Sequence, residues 1–341
     1  MGIKFNKLLP GKLDNQFLGE LLKQYTHQQG GELCVGAGIG QDAAAIDLGD
    51  HYLIAKTDPI TFTSRHLGYY AVHINSNDIA CMGGEPKWFL ATLLLPEETA
   101  TKKMAEDIFR DIFETCDKEH IRYIGGHTEI TVGVKNPILV GHMLGLADKD
   151  HLIHKEAIKE GDRLIVIGQV PLEATSILAR DKEKELEHEF GSEFVRRCQN
   201  FLFQPGISVL PAARLCRKVA SIHALHDATE GGICTAIHEL MSETGLGITV
   251  TAEDIPQLPE GKLLCDHYQL DPLGCISSGS LLALVSPADA KSLLRQLKAA
   301  GLIANEAGKV TKKGEPLVLV RDGKPLRLPC FPQDELIKIF D

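Results

Sequence analysis

The chain has no apolar run approaching the about 20 residues that cross a bilayer, so no membrane role is expected. It has no block of clustered lysine and arginine. Against 36 basic residues stand 46 acidic ones, a formal charge of −10, and nucleic acid is a poor partner for such a surface. Its nine cysteines are odd in number and include no CxxC pair, which supports neither a disulfide framework nor a thiolate zinc site. Most are expected to be small buried apolar groups. The phosphate loop G-x-x-x-x-G-K-[ST] is missing, and so is the G-x-G-x-x-G dinucleotide fingerprint. The opening MGIKFNKLLPGKLDN lacks an apolar stretch of leader length and a small-residue cleavage site, and Asn6 stands where a myristoylation signal needs Ser or Thr. A cytoplasmic chain is expected.

What is present is the composition of a globular protein, 44% hydrophobic and 24% charged. A length of 341 residues exceeds one comfortable core, so two domains are expected. Short β-rich runs alternate with amphipathic stretches, the pattern of mixed α/β architecture. In the first half, Tyr52–Thr57, Trp88–Leu95, Ile121–Ile124 and Ile138–Leu146 read as strands. Residues 101–118 and 66–81 read as helices, the first with Met104, Ile108, Ile112 and Cys116 on one face. The polar segment DKDHLIHKEAIKEGD at 148–162 reads as the boundary between a domain of residues 1–150 and one of residues 160–341. Beyond it, helices are expected at 171–179, 184–200, 208–219, 230–243 and 288–300, and strands at 164–168, 221–225, 247–251 and 280–285.

Four acidic motifs stand out. HDATEGG places His226 and Asp227 before a Gly-Gly turn; GIGQDAA, KTDP and NDIACMGG contribute Asp42, Asp58 and Asp78. Carboxylates on separate segments suit Mg²⁺, a hard ion that takes oxygen ligands and phosphates. Brought together, they repel one another, so at least one is expected to hold its proton more tightly. Asp78 falls in the last turn of its helix, where the dipole disfavours an anion, so a compensating cation is expected beside it. Glycines 36, 38 and 40 before Asp42 let backbone amides approach an anion, or form an ordinary turn. GGHTEI, with Gly125, Gly126, His127 and Thr128, reads as the end of an apolar strand and an edge for a phosphate or metal.

In order and spacing, GIGQDAA, KTDP, NDIACMGG, GGHTE and HDATEGG resemble the superfamily of aminoimidazole ribonucleotide synthetase, selenophosphate synthetase, thiamine monophosphate kinase and the hydrogenase maturation factor that makes cyanide ligands. The resemblance spans about residues 30–330, and HDATEGG looks most like the hydrogenase maturation branch. It implies a two-domain α/β fold. The N-terminal domain would pair with a second subunit into a barrel, and ATP would lie in the cleft beside the C-terminal domain. It further implies that Asp42, Asp58, Asp78 and Asp227 hold Mg²⁺ and the nucleotide phosphates, with Asn77 accompanying Asp78. Gly38, Gly40, Gly125 and Gly126 would allow close approach, Thr128 would lie at the phosphates, and His226 would act as a base or an orienting group.

Two departures bear on function. His127 stands where relatives carry Asp or Glu, replacing an acidic ligand by an imidazole that can instead donate to a phosphate. The maturation factor ends in a cysteine that carries the carbamoyl group, whereas Phe340 falls near that place here and Cys330 lies in RLPCFPQDE. The leading expectation is a homodimeric, Mg²⁺-dependent ATP enzyme that phosphorylates a small molecule or a carboxamide oxygen. The alternatives are a maturation protein that uses another thiol with a partner protein, and a non-catalytic ATP-binding scaffold.

Overall fold

The computed structural model describes residues 11–27, 30–61 and 63–340; the leader reading at residues 1–10 lies outside them. The first sheet contains β1 (Leu33–Val35), β2 (Ala44–Asp47), β3 (His51–Ile60), β4 (Glu85–Pro96), β5 (Arg122–Thr131) and β6 (Ile138–Asp148), in the order β1-β2-β3-β6-β4-β5. Only β4 and β5 run parallel. Burial alternates along β6, as it must when one face meets a core and the other does not.

Among the described residues three helices belong to this half: α1 (Asn15–Tyr25), α2 (Leu67–Cys81) and α3 (Lys102–Lys118). Thr101 caps α3 by accepting from the Met104 amide at 3.1 Å, and Ile108, Ile112 and Cys116 are buried on one face. By contrast α2 is buried nearly all round. It can lie this close to β6 because Gly141 and Gly145 have no side chains. A Cβ there would sit 2.2 Å from Asn75 Nδ2 and 2.3 Å from Ile79 Cγ2.

The second sheet contains β7 (Arg163–Ile167), β8 (Ile222–Asp227), β9 (Leu246–Thr251), β10 (Leu281–Val285), β11 (Ala304–Lys313), β12 (Leu317–Arg321) and β13 (Lys324–Arg327). Their order is β13-β12-β9-β11-β7-β10-β8. All five residues of β10 are buried, because helices cover both faces of this sheet. The helices here are α4 (Leu172–Asp181), α5 (Glu183–Phe190), α6 (Ser192–Asn200), α7 (Leu210–Val219), α8 (Gly232–Met241), α9 (Pro259–Tyr268), α10 (Pro287–Ala299) and the short α11 (Ile337–Phe340).

Several expectations need correction. The single helix expected at 184–200 is two, α5 and α6, separated by Gly191 at φ +83°. β3 runs on past Thr57, so Asp58 is inside a strand. GGHTEI does not end its strand: β5 passes through both glycines, with a bulge against Ala91. Helices α1 and α9 and strands β11 to β13 were not expected. No helix among the described residues is long and apolar enough to cross a membrane.

Candidate functional site

The two sheets face a shared cleft of about 1290 Å³. Gly38, Gly40, Asp42, Asp58, Asp78, His226 and Asp227 all line it, although they come from four separate segments. Strand β3 supplies Asp58, the last turn of α2 supplies Asp78, and edge strand β8 ends on His226 and Asp227. Asp42 follows a glycine loop pressed against α8. At Gly40, φ is +67° and a Cβ would stand 2.0 Å from the Glu239 carbonyl oxygen, so only glycine fits. Lys155 Nζ secures the loop by donating to the Ile39 carbonyl.

Single ligand atoms of Asp42, His226 and Asp227 lie within 4.8 Å of one another. His226 is held between two carboxylates, with Nδ1 2.6 Å from Asp42 Oδ1 and Nε2 3.2 Å from Glu239 Oε2. The Nδ1 approach is an ion-pair contact without hydrogen-bond alignment. Lys12 Nζ joins the network at 3.1 Å from Glu239 and 3.7 Å from Glu230. The expected cation beside Asp78 is Lys56. Its Nζ lies 3.2 Å from Asp78 Oδ2 and 3.2 Å from Asp58 Oδ2.

Burial and mutual repulsion set the charge states. Burial pushes the Asp78 carboxyl well above the usual range against the pull of Lys56. Burial and then Asp42 push Asp227 up to about 6, opposed by His226. Burial would lower His226, but Asp42 and Glu239 outweigh it and hold the imidazole well above its ordinary value. Glu239 is raised by burial yet brought down to about 2 by His226 and Lys12. The expected repulsion among the aspartates is therefore present.

Buried carboxylate oxygens need a cation or a donor. Asp227 Oδ2 and Asp78 Oδ2 are buried and make no hydrogen bond, but Asp78 Oδ2 has the Lys56 ammonium 3.2 Å away, which leaves Asp227 Oδ2 in want of a cation. Both His226 nitrogens face carboxylates, so the donors left to an ion are the oxygens of Asp42 and Asp227, which fit a hard divalent ion such as Mg²⁺.

Other predicted residues lie elsewhere. Asn77 is buried in α2, where Nδ2 donates to the Ile207 carbonyl at 2.9 Å and Oδ1 accepts from the Val209 amide at 2.9 Å. It ties α2 to the segment before α7 and does not reach the cleft. Gly125, Gly126, His127 and Thr128 sit on β5, the far edge of the first sheet, and do not line the cleft. His127 Nε2 lies 3.2 Å from Glu129 Oε2 at the surface. The two glycines serve the strand instead: at Gly126 φ is +142° and a Cβ would meet Ala91 O at 1.9 Å.

Sequence reasoning missed Lys56, Lys12, Glu239, Glu173 and Asp334, all of which line the cleft; Ser278, in the loop LGCISSGSLL that reads as either a substrate contact or a structural turn, lines it too. For Lys56 a signal existed, since it precedes Asp58 by two residues on a strand and so shares its face. The Glu173 carboxylate, on α4, accepts from the Ser278 amide at 3.2 Å. Burial pushes it up to about 8. The Ser278 hydroxyl is buried beside it without a well-formed partner.

The N-terminal domain model of AIR synthase related protein matches residues 40–147, and its C-terminal domain model matches residues 159–320. A hydrogenase expression/formation protein of Methanocaldococcus jannaschii is 28% identical over 300 residues, covering 84% of this chain and 85% of that protein. The carbamoyl dehydratase HypE of Cupriavidus necator is 25% identical, with 83% of this chain and 80% of the relative covered. Among solved structures, the hydrogenase maturation protein HypE in complex with ATP superposes with a TM-score of 0.71 at 20% identity, covering 87% of this chain and 90% of that one. At that identity the likeness shows the fold, a two-domain arrangement of mixed sheets.

Proposed function

The chain belongs to the AIR synthase related family, and on that premise we propose that it uses Mg²⁺-bound ATP to phosphorylate the oxygen of a small molecule or a carboxamide. The observation that carries this reading is the gathering of Asp42, Asp58, Asp78 and Asp227 on one cleft, with the buried Asp227 Oδ2 left unsatisfied. A relative named carbamoyl dehydratase and a neighbouring fold solved with ATP support it.

Phosphoryl transfer asks a protein mainly to position groups and neutralise charge. Mg²⁺, when bound, would supply positive charge that offsets the negative charge of the phosphates. The chain's own residues do the rest. Asp42 and Asp227 would hold the ion, and the loop at Gly38 and Gly40 would admit the phosphates. His226, fixed between Asp42 and Glu239, orients Asp42 towards the cleft. Glu173, Ser278 and Asp334, from elements of the second half, would face the acceptor.

A homodimer belongs to this reading. β5 is an edge strand, and along it and just beyond it Ile124, Ile130 and Val132 are 53%, 66% and 73% exposed, a surface suited to pairing with a second copy. The test of function is ADP release screened over carboxamides and small phosphorylated acceptors. Stimulation by one class, dependent on Mg²⁺, is expected. Tight nucleotide binding with no turnover for any acceptor would favour the non-catalytic scaffold.

A second reading is a hydrogenase maturation protein acting with a partner protein through another thiol. One observation favours it: of the nine cysteines Cys330 alone is exposed, two residues from Pro332 in the cleft wall. Partial burial of its sulfur nevertheless raises the thiol above the ordinary value, so fewer thiolates are available at neutral pH. Carbamoylation of the purified chain, read as a mass increase that Cys330→Ala abolishes, is the expected result under this reading.

A further inference from the structure

We propose that the ammonium of Lys56 fills the position between Asp58 and Asp78 as a built-in cation, so that this cleft takes a single divalent ion with its nucleotide. The ion would sit at Asp42 and Asp227. The inference rests on the reading of the cleft as a Mg²⁺–nucleotide site.

The geometry is symmetric. Lys56 Nζ is 3.2 Å from Asp58 Oδ2 and 3.2 Å from Asp78 Oδ2. Lys56 and Asp58 lie two apart on β3 and therefore project from the same face, and Asp78 arrives from the end of the helix that packs on that sheet. The lysine side chain is 20% exposed, beside Asp78 at 7% and Asp58 at 35%, so its ammonium sits between a buried carboxylate and one at the cleft surface. Mg²⁺ demands oxygen atoms at about 2.0–2.1 Å in near-octahedral array. An ammonium lodged between the same two carboxylates leaves no room for that shell.

The buried carboxylate oxygens that lack a hydrogen bond lead to the same count: Asp78 Oδ2 has the Lys56 ammonium 3.2 Å away. The remaining unsatisfied oxygen away from Lys56 is Asp227 Oδ2, within the group formed with Asp42 and His226. That is where the ion is wanted. Lysine thus removes the need for a second metal at the other pair of aspartates.

The test counts bound Mn²⁺ by electron paramagnetic resonance with the full chain saturated in AMPPCP, a nucleotide that is not hydrolysed. The wild type is expected to bind one Mn²⁺ per chain, Lys56→Met two, and Lys56→Arg one. Should Lys56→Met not fold, Lys56→Ser, which leaves space for a hydrated ion, takes its place. Two ions in the wild type, or one ion in both charge-removing variants, would overturn the proposal while leaving the nucleotide reading intact. No Mn²⁺ bound by any of these proteins would overturn both.

Discussion

Replacing Glu173 by Gln should flatten the dependence of stability on pH. The side chain is buried, and its carboxyl is pushed from an ordinary 4.5 up to about 8 by burial. Between those values the native state keeps a proton that the unfolded chain has lost. Stability linked to this group is therefore complete below about 4.5 and declines as pH rises towards about 8. Each pH unit in that window costs about 1.4 kcal/mol for one proton, so from about pH 6 to about pH 8 the wild type loses roughly 2–3 kcal/mol through Glu173 alone. Glutamine keeps an oxygen to accept from the Ser278 amide but carries no titrating proton. Urea unfolding of both proteins across that range is the assay. The difference in unfolding free energy, variant minus wild type, is expected to grow by roughly 2–3 kcal/mol with rising pH. Parallel curves, offset by a constant, would refute the assignment of a neutral buried carboxyl at this position.

Three further outcomes can be checked. Ile112→Ala removes a fully buried side chain from the core between α2, α3 and the first sheet, and chemical denaturation should show a loss of roughly 2–5 kcal/mol. Glu239→Ala leaves His226 and Lys12 without their shared carboxylate; a loss of roughly 3–5 kcal/mol is expected at neutral pH. Because the folded Glu239 carboxyl is brought from 4.5 down to about 2, the wild type should lose that advantage as pH falls through this window, so the two proteins converge in acid. Ile130→Lys places a charge on the exposed β5 edge, and sedimentation should find the protein monomeric while nucleotide-free melting changes little.

The fold was legible wherever periodicity was strong. α3 announced itself through Met104, Ile108, Ile112 and Cys116, and the strand at Leu281–Val285 through an unbroken apolar run. Elements with weak local signals were missed. α9 begins at a proline and has an interior glycine, Gly261, and β11 is rich in lysine and polar residues because much of it is exposed. In the site, motif order led to Asp42, Asp58, Asp78 and Asp227, and all four line the cleft. Residues brought in by tertiary packing left no such trace. Glu239 lies thirteen positions after His226 on α8, and Glu173 sits in an otherwise apolar helix start, so neither carries a local motif. Asn77 misled for the opposite reason: its neighbour faces the cleft, but adjacent helical positions point about 100° apart, and its amide is committed to Ile207 and Val209.

Isothermal titration of AMPPCP into the wild type and Asp227→Asn, each with and without Mg²⁺, tests most directly whether the gathered aspartates form a metal–nucleotide site. The account predicts binding to the wild type that weakens at least about tenfold, or about 1.4 kcal/mol, when Mg²⁺ is withheld, and a comparable weakening in Asp227→Asn with Mg²⁺ present. Affinity that is equal in all four titrations, or no binding in any, would contradict it.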